Sequence, residues 1–222
     1  MRGLIGRSVA KQLPGLWGGM VGRKRYADDM VTDALEAGIG QFVILGAGFD
    51  TRSFRLIAPA GAKAFEVDLP DNIARKQRLL EKRFGQVPRH VTLMATDFET
   101  DDLTERLAAS GFEPDASSMY VVEAITQYLT QDAAQRLFSF LATAPAASRL
   151  IFTYIDQNFL DGRDLDGWES VHRKWSRRTR CGPSASTLRL SASSCAGTTG
   201  PNANRSARGT TARGTSKLPD GT

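Results

Sequence analysis

Five short apolar runs punctuate the chain: Phe42-Val43-Ile44-Leu45, Ala64-Phe65-Glu66-Val67, Val91 to Ala95, Met119-Tyr120-Val121-Val122 and Leu150 to Ile155. Each is short enough for a buried parallel strand and too short for a helix. Between them lie stretches with helical spacing. Arg23 to Ala37 carries Tyr26, Met30, Val31, Ala34 and Leu35 near one face and is stopped by Gly38 and Gly40. Pro70 admits a helix that continues from Ile73 to Phe84 with a basic outer face. Asp102 to Ser110 is a helix closed by Gly111, and Gln131 to Ala144 is another. Residues 1–22 read as a short helix followed by a turn at Gly18-Gly19, and DGRDLDGWESVHRKWS as a helix after the last strand. Strand and helix in alternation predict an α/β domain with an open, Rossmann-like parallel sheet.

The chemistry collects where strands end. The first run stops at Gly46-Ala47-Gly48, whose glycines allow a tight turn and close backbone approach to a ligand, with a helix N-terminus to follow. Twenty-two positions beyond Gly46, the second run ends in Asp68, placed to accept hydrogen bonds from ribose hydroxyls. Thr51 stands where a dinucleotide fingerprint has its third Gly, the residue that lets helix and strand pack around a pyrophosphate. Adenosine without pyrophosphate points to S-adenosyl-L-methionine. A ligand-free strand–turn–helix is the plain alternative for the glycines alone. Asp97 and Glu123 end the third and fourth runs, so three acids would line one crevice. Each taken singly also suits a helix N-cap, Asp97 above all. Arg23, Lys24 and Arg25 head the first helix, either as a solvated face or with one arginine toward the ligand.

The charge of the chain is unevenly placed. Of a net +5, residues 177–222 hold +7 (seven Arg, one Lys, one Asp), which leaves −2 for residues 1–176. The basicity therefore belongs to the tail, and no specific nucleic-acid site is expected. Three parts follow: a segment 1–22, a cofactor-binding domain 23–176 and a basic low-complexity tail 177–222. The tail lacks Phe, Trp, Tyr, Ile, Val and Met, too little apolar surface to offset its ordering entropy, and reads as disordered. Both cysteines, Cys181 and Cys195, lie there without partners at metal-ligand spacing, so no metal is expected. No apolar run approaches the about 18 residues of a membrane span. The first twenty residues lack the apolar core and cleavage site of a secretory signal, and a cytoplasmic protein is expected. His90 and His172 sit outside any motif, and no serine or cysteine stands in a nucleophile elbow. No catalytic residue is assigned. Methyl transfer from a sulfonium needs only an acceptor held in line, and a carboxylate acceptor needs no general base.

These blocks together resemble the leucine carboxyl methyltransferase-like family, in particular its bacterial branch of S-adenosyl-L-methionine-dependent enzymes. The resemblance rests on RKRYADDMV at 23–31, QFVILGAGFDTRSFRL at 41–56, FEVDLP at 65–70 and KQRLL at 76–80. Asp97-Phe98, VVEAITQYLT at 121–130 and SRLIFTY at 148–154 agree in order and spacing. It implies that Arg23, with Arg25 second, binds the cofactor carboxylate and that Gly46 and Gly48 lie against the cofactor. It also implies that Asp68 holds the ribose, Asp97 and Phe98 the adenine edge, and Glu123 the methionine end. O-methylation of a carboxylate or hydroxyl is implied, on a small molecule or a protein C-terminus. Two departures stand out. Ala124 replaces the glycine usual after the fourth-strand acid, and two further strands expected after the fifth are missing, with the tail in their place. The tail is then a basic extension or a frameshift product. The alternatives are an inactive remnant of such an enzyme, or an NAD-dependent oxidoreductase, which Thr51 and the lack of a Tyr/Lys or His catalytic set oppose.

Overall fold

The computed structural model describes residues 16–165 and 167–178. Five strands, β1 (Gln41–Leu45), β2 (Lys63–Asp68), β3 (Val91–Ala95), β4 (Ser118–Val122) and β5 (Arg149–Phe152), form one sheet in the order β3-β2-β1-β4-β5. Every neighbouring pair is parallel. All five carboxyl ends therefore meet one edge, and the order reverses between β1 and β4, the place where open α/β sheets bind ligands. Six helices accompany the strands: α1 (Leu16–Glu36), α2 (Pro70–Phe84), α3 (Leu103–Ala109), α4 (Gln131–Ala142), α5 (Gln157–Leu160) and α6 (Glu169–Arg178).

Alternation along the strands divides the core into two layers. Val43, Leu45, Phe65, Val67, Tyr120 and Val122 face Leu103 and Leu107 of α3 and Leu137 of α4. Phe42, Ile44, Ala64, Met119 and Val121 face the opposite way, against Val31 and Ala34 of α1 and Ile57. Both faces of the central strands are covered, which is why β1, β2 and β4 read as mostly apolar runs rather than as an alternation of apolar and polar residues.

The structure departs from the sequence reading in several places. Gly18 and Gly19 lie inside α1 rather than in a turn, because the helix, once docked through Ala27, Val31 and Ala34, extends backwards into solvent, where nothing meets these glycines within 4 Å. Tyr26 is 54% exposed; the small Ala27 takes the inward position instead. No α-helix follows the glycine turn: β1 is joined to β2 by a π-helical turn, Ser53–Ile57, and a 3-10 turn, Ala58–Ala60. β5 ends at Phe152, after which the Thr153 N–H donates to the Val122 carbonyl (3.0 Å) and the Thr153 carbonyl accepts from Thr126 Oγ1 (3.0 Å).

The middle of β2 holds an unexpected charge. Glu66 is fully buried and paired with Lys76 Nζ at 2.5 Å, which also donates to the Asp50 carbonyl (2.9 Å). Lys76 thus turns inward from α2 instead of joining its basic outer face. Burial pushes the Glu66 carboxyl above its ordinary range, and Lys76 and Ser53 offset this only in part. The helix expected after β5 is α6, which runs through Arg178. The rest of the predicted low-complexity tail lies outside the described residues, as do residues 1–15 and both cysteines.

Candidate functional site

β1 ends in a turn that depends on its glycines. Gly46 and Gly48 have φ of +68° and +45°, in the left-handed region that favours glycine. A Cβ at Gly46 would stand 3.0 Å from Ile125 Cδ1, so space as well as conformation opposes a side chain there. The turn brings the Gly48 N–H to Asp68 Oδ2 at 2.6 Å. Asp68 Oδ1 accepts from the Leu69 N–H and from Asn72 Nδ2, both at 2.7 Å. One carboxylate thereby ties the β1 turn to the start of α2, and it is 93% shielded, at 7% exposure.

A second group forms at the tip of β4. Glu123 Oε1 lies 2.7 Å from Arg23 Nε and 3.0 Å from Lys24 Nζ, and its Oε2 accepts from Arg52 Nη1 at 2.9 Å. Arg52, 1% exposed, also donates from Nε to Asp28 Oδ1 (2.8 Å), from Nη1 to Asp50, and from Nη2 to the Lys24 carbonyl (3.3 Å). Asp28 is held on its other oxygen by Arg55 Nη2 at 2.8 Å. Burial pushes the Glu123 carboxyl up, but Lys24 and Arg52 outweigh it, and the group settles below the usual carboxylate range. Burial likewise works against the Arg52 charge, while Asp50 and Glu123 more than compensate and raise its pKa. After Glu123 comes Ala124 at φ +58°, the sole non-glycine residue at positive φ among the described residues. Its N–H donates to Thr153 Oγ1 (2.8 Å), which joins the tips of β4 and β5.

Of the residues singled out from sequence, Gly46 and Gly48 form the turn that meets Asp68, and Arg23 of α1 meets Glu123 at the tip of β4. The others stand apart. Arg25 pairs with Asp29 one helical turn away, its side chain 79% exposed. Asp97, at the end of β3, serves its own loop: its Oδ1 accepts from the Glu99 N–H and its N–H donates to Asp101 Oδ2, both at 3.0 Å. The Phe98 ring belongs to the core layer beneath α3 and α4. Sequence reasoning missed Arg52, Asp28 and Asp50, the centre of the β4 group. The only sign was a charged stretch, Asp50-Thr51-Arg52, between Phe49 and Phe54. It missed as well that large apolar side chains stay exposed just past three strand ends: Phe49 (57%), Leu69 (45%) and Tyr128 (52%). Among the described residues, no group of His, Cys, Asp and Glu is placed to hold a metal ion, and no helix is long and apolar enough to cross a membrane.

The family model for leucine carboxyl methyltransferase matches residues 5–142. A Mycobacterium avium (strain 104) protein named "Putative S-adenosyl-L-methionine-dependent methyltransferase" is 35% identical over 161 residues, 71% of this chain and 52% of that protein. A Mycobacterium leprae protein of the same description is 36% identical over 149 residues, 67% of this chain and 48% of its own length. The chain spans about half the length of the curated relatives it matches. Two solved structures share the fold. One is a Streptomyces avermitilis protein of the DUF574 family (TM-score 0.54, 18% identity, 78% of this chain and 67% of that one). The other is a Thermobifida fusca protein named a "putative methyltransferase" (TM-score 0.52, 17% identity, 78% of this chain and 64% of that one). With a parallel sheet reversed at β1/β4, a glycine turn against Asp68 and a family match over most of the described residues, the chain belongs to the leucine carboxyl methyltransferase family.

Proposed function

We propose that this chain binds S-adenosyl-L-methionine across the carboxyl ends of β1, β2 and β4 and directs its methyl group to an oxygen acceptor. The acceptor class is a carboxylate or hydroxyl, on a small molecule or a protein C-terminus. The observation that carries the reading is the Gly48 N–H on Asp68 Oδ2, at 2.6 Å, on the same sheet edge as the Arg23–Glu123 pair. A hydroxyl-binding acid and a cation–anion pair along one edge suit a nucleoside joined to an amino acid.

The side chains fit such a group. A carboxylate offers about four acceptor positions, and Asp68 uses three within the protein, which leaves one for a ribose hydroxyl. Arg23 Nε and Glu123 Oε1 are buried and in ionic contact, yet neither makes a well-directed hydrogen bond. Both keep capacity for the carboxylate and ammonium of an amino-acid end. Phe49 and Leu69 offer apolar surface beside Asp68 for a base, with Asp97 and the Phe98 backbone as candidates for its polar edge. When bound, the sulfonium supplies an electrophilic methyl group. The protein's part is to hold the acceptor oxygen in line and keep water away, which needs no dedicated base when the acceptor is already a carboxylate.

Calorimetric titration with S-adenosylhomocysteine and, separately, NAD tests the cofactor. Saturable heat with the first and none with the second is expected, and the reverse pattern or silence toward both would overturn the reading. Transfer of labelled methyl into an acceptor pool, sorted by base-labile ester against stable ether, then tests the acceptor class.

A further inference from the structure

We propose that Arg52 is a positioning residue for the amino-acid end of the bound nucleoside, acting through Glu123; this rests on the function proposed above. Arg52 is 1% exposed and cannot meet a ligand itself. Its guanidinium instead joins three parts of the fold. Nη1 contacts Asp50 in the β1 turn and Glu123 Oε2 at the β4 tip, Nε contacts Asp28 on α1, and Nη2 contacts the Lys24 carbonyl.

Two consequences follow from that fork. With Oε2 taken by Arg52, Glu123 can rotate little, and Oε1 is left between Arg23 Nε at 2.7 Å and Lys24 Nζ at 3.0 Å. An α-amino acid carries its ammonium and carboxylate on one carbon, so its receptor needs an anion and a cation side by side, which is this arrangement. The same guanidinium also fixes Asp28 and the Lys24 carbonyl, and so sets where the first turns of α1 hold Arg23. A lysine at position 52 would keep the charge but lose the planar fork that reaches all three parts at once.

The test compares two nucleosides on the full chain by calorimetry. S-adenosylhomocysteine carries the amino-acid end; 5′-methylthioadenosine lacks it. Arg52→Lys is expected to weaken S-adenosylhomocysteine at least tenfold while 5′-methylthioadenosine stays within about twofold of the parent. Equal weakening of both would reduce Arg52 to general support of the fold, and unchanged affinity for both would remove its role; either overturns the proposal. Asp28→Asn, which leaves Arg52 in place and loosens its hold on α1, serves if Arg52→Lys does not melt cooperatively. A selective loss of about threefold for S-adenosylhomocysteine is expected there, and equal retention of both ligands overturns the proposal. A parent chain that binds 5′-methylthioadenosine but not S-adenosylhomocysteine would overturn it with the nucleoside site intact. A parent that binds neither would overturn the proposed function, and this inference with it.

Discussion

At Ala124 a methyl group sits where the backbone wants none. Its φ of +58° puts Cβ against the carbonyl, a conformation that costs an L-residue about 1–2 kcal/mol. The strand end holds it there because the Ala124 N–H is tied to Thr153 and the next residue, Ile125, packs over Gly46. Ala124→Gly is therefore expected to stabilise the protein by about 1 kcal/mol, less the entropy that glycine adds to the unfolded chain. A thermal midpoint raised by roughly 2–4 °C would be the sign, and a lower midpoint would show that the methyl packs favourably. Asp68 has two duties, and its replacement separates them. Asp68→Ala strips the acceptor from Gly48, Leu69 and Asn72, so stability falls. Hydrogen bonds to a charged group are worth about 1.5–3 kcal/mol, so affinity for S-adenosylhomocysteine should also fall at least about tenfold. Measured on protein shown by its melt to be folded, undiminished binding would sink the assignment of the ribose site.

Between elements, the buried ion pair of β2 and α2 is the least expected contact. Glu66 sits in a run that reads as apolar, and Lys76 in a helix that reads as basic outside; only their meeting makes either tolerable. Removing one partner of a buried pair typically costs about 3–5 kcal/mol, because the other charge is left without compensation. Lys76→Met is expected to lose stability on that scale, and Glu66→Leu combined with Lys76→Met to recover most of it. The pH dependence has a definite sign. A carboxyl raised in the fold contributes stability that is fully present below its unfolded value, near about 4.3, and that is lost as pH rises through the folded value. Glu66 is raised in the native protein and loses its lowering partner in Lys76→Met. The deficit of that variant in urea unfolding should therefore be larger at neutral pH than in mild acid. A deficit that does not change with pH would mean Glu66 stays charged on water or a new partner.

Across the whole molecule, the sheet is asymmetric. β3 and β5 are its edges among the described residues, and β5 pairs with β4 alone. Leu150 on β5 is 41% exposed and Tyr154, just past its end, 69%. Unpaired N–H and C=O groups next to exposed apolar side chains invite strand addition from a second chain. Self-association that grows with concentration is expected in light scattering, with Leu150→Lys reducing it, since a charge on an edge strand opposes pairing. A monodisperse monomer at high concentration would show this edge to be covered.

What the amino-acid order determines by itself here is the alternating architecture and the glycine turn with its acid. Runs of four or five residues rich in apolar side chains and closed by Gly or Asp are local signals, whereas the cap that Asp102 supplies to the N–H groups of Thr104 and Glu105 at the head of α3 was not named from sequence. Asp68, Glu123 and the glycines could be named because each stands at a strand end, and strand ends are visible in sequence. The pairing of charges could not be read that way. Arg52 meets Asp28 from 24 positions away and Glu123 from 71, and Glu66 meets Lys76 only because α2 folds back over β2. Ionic partners are chosen by which tips the sheet order makes neighbours, and β1 lies between β2 and β4 only in three dimensions. The burial that decides whether a charge is a solvated ornament or the hub of a site is likewise a property of the packed layers, which is why Arg25 and Arg52 look alike in the chain and differ completely in the fold.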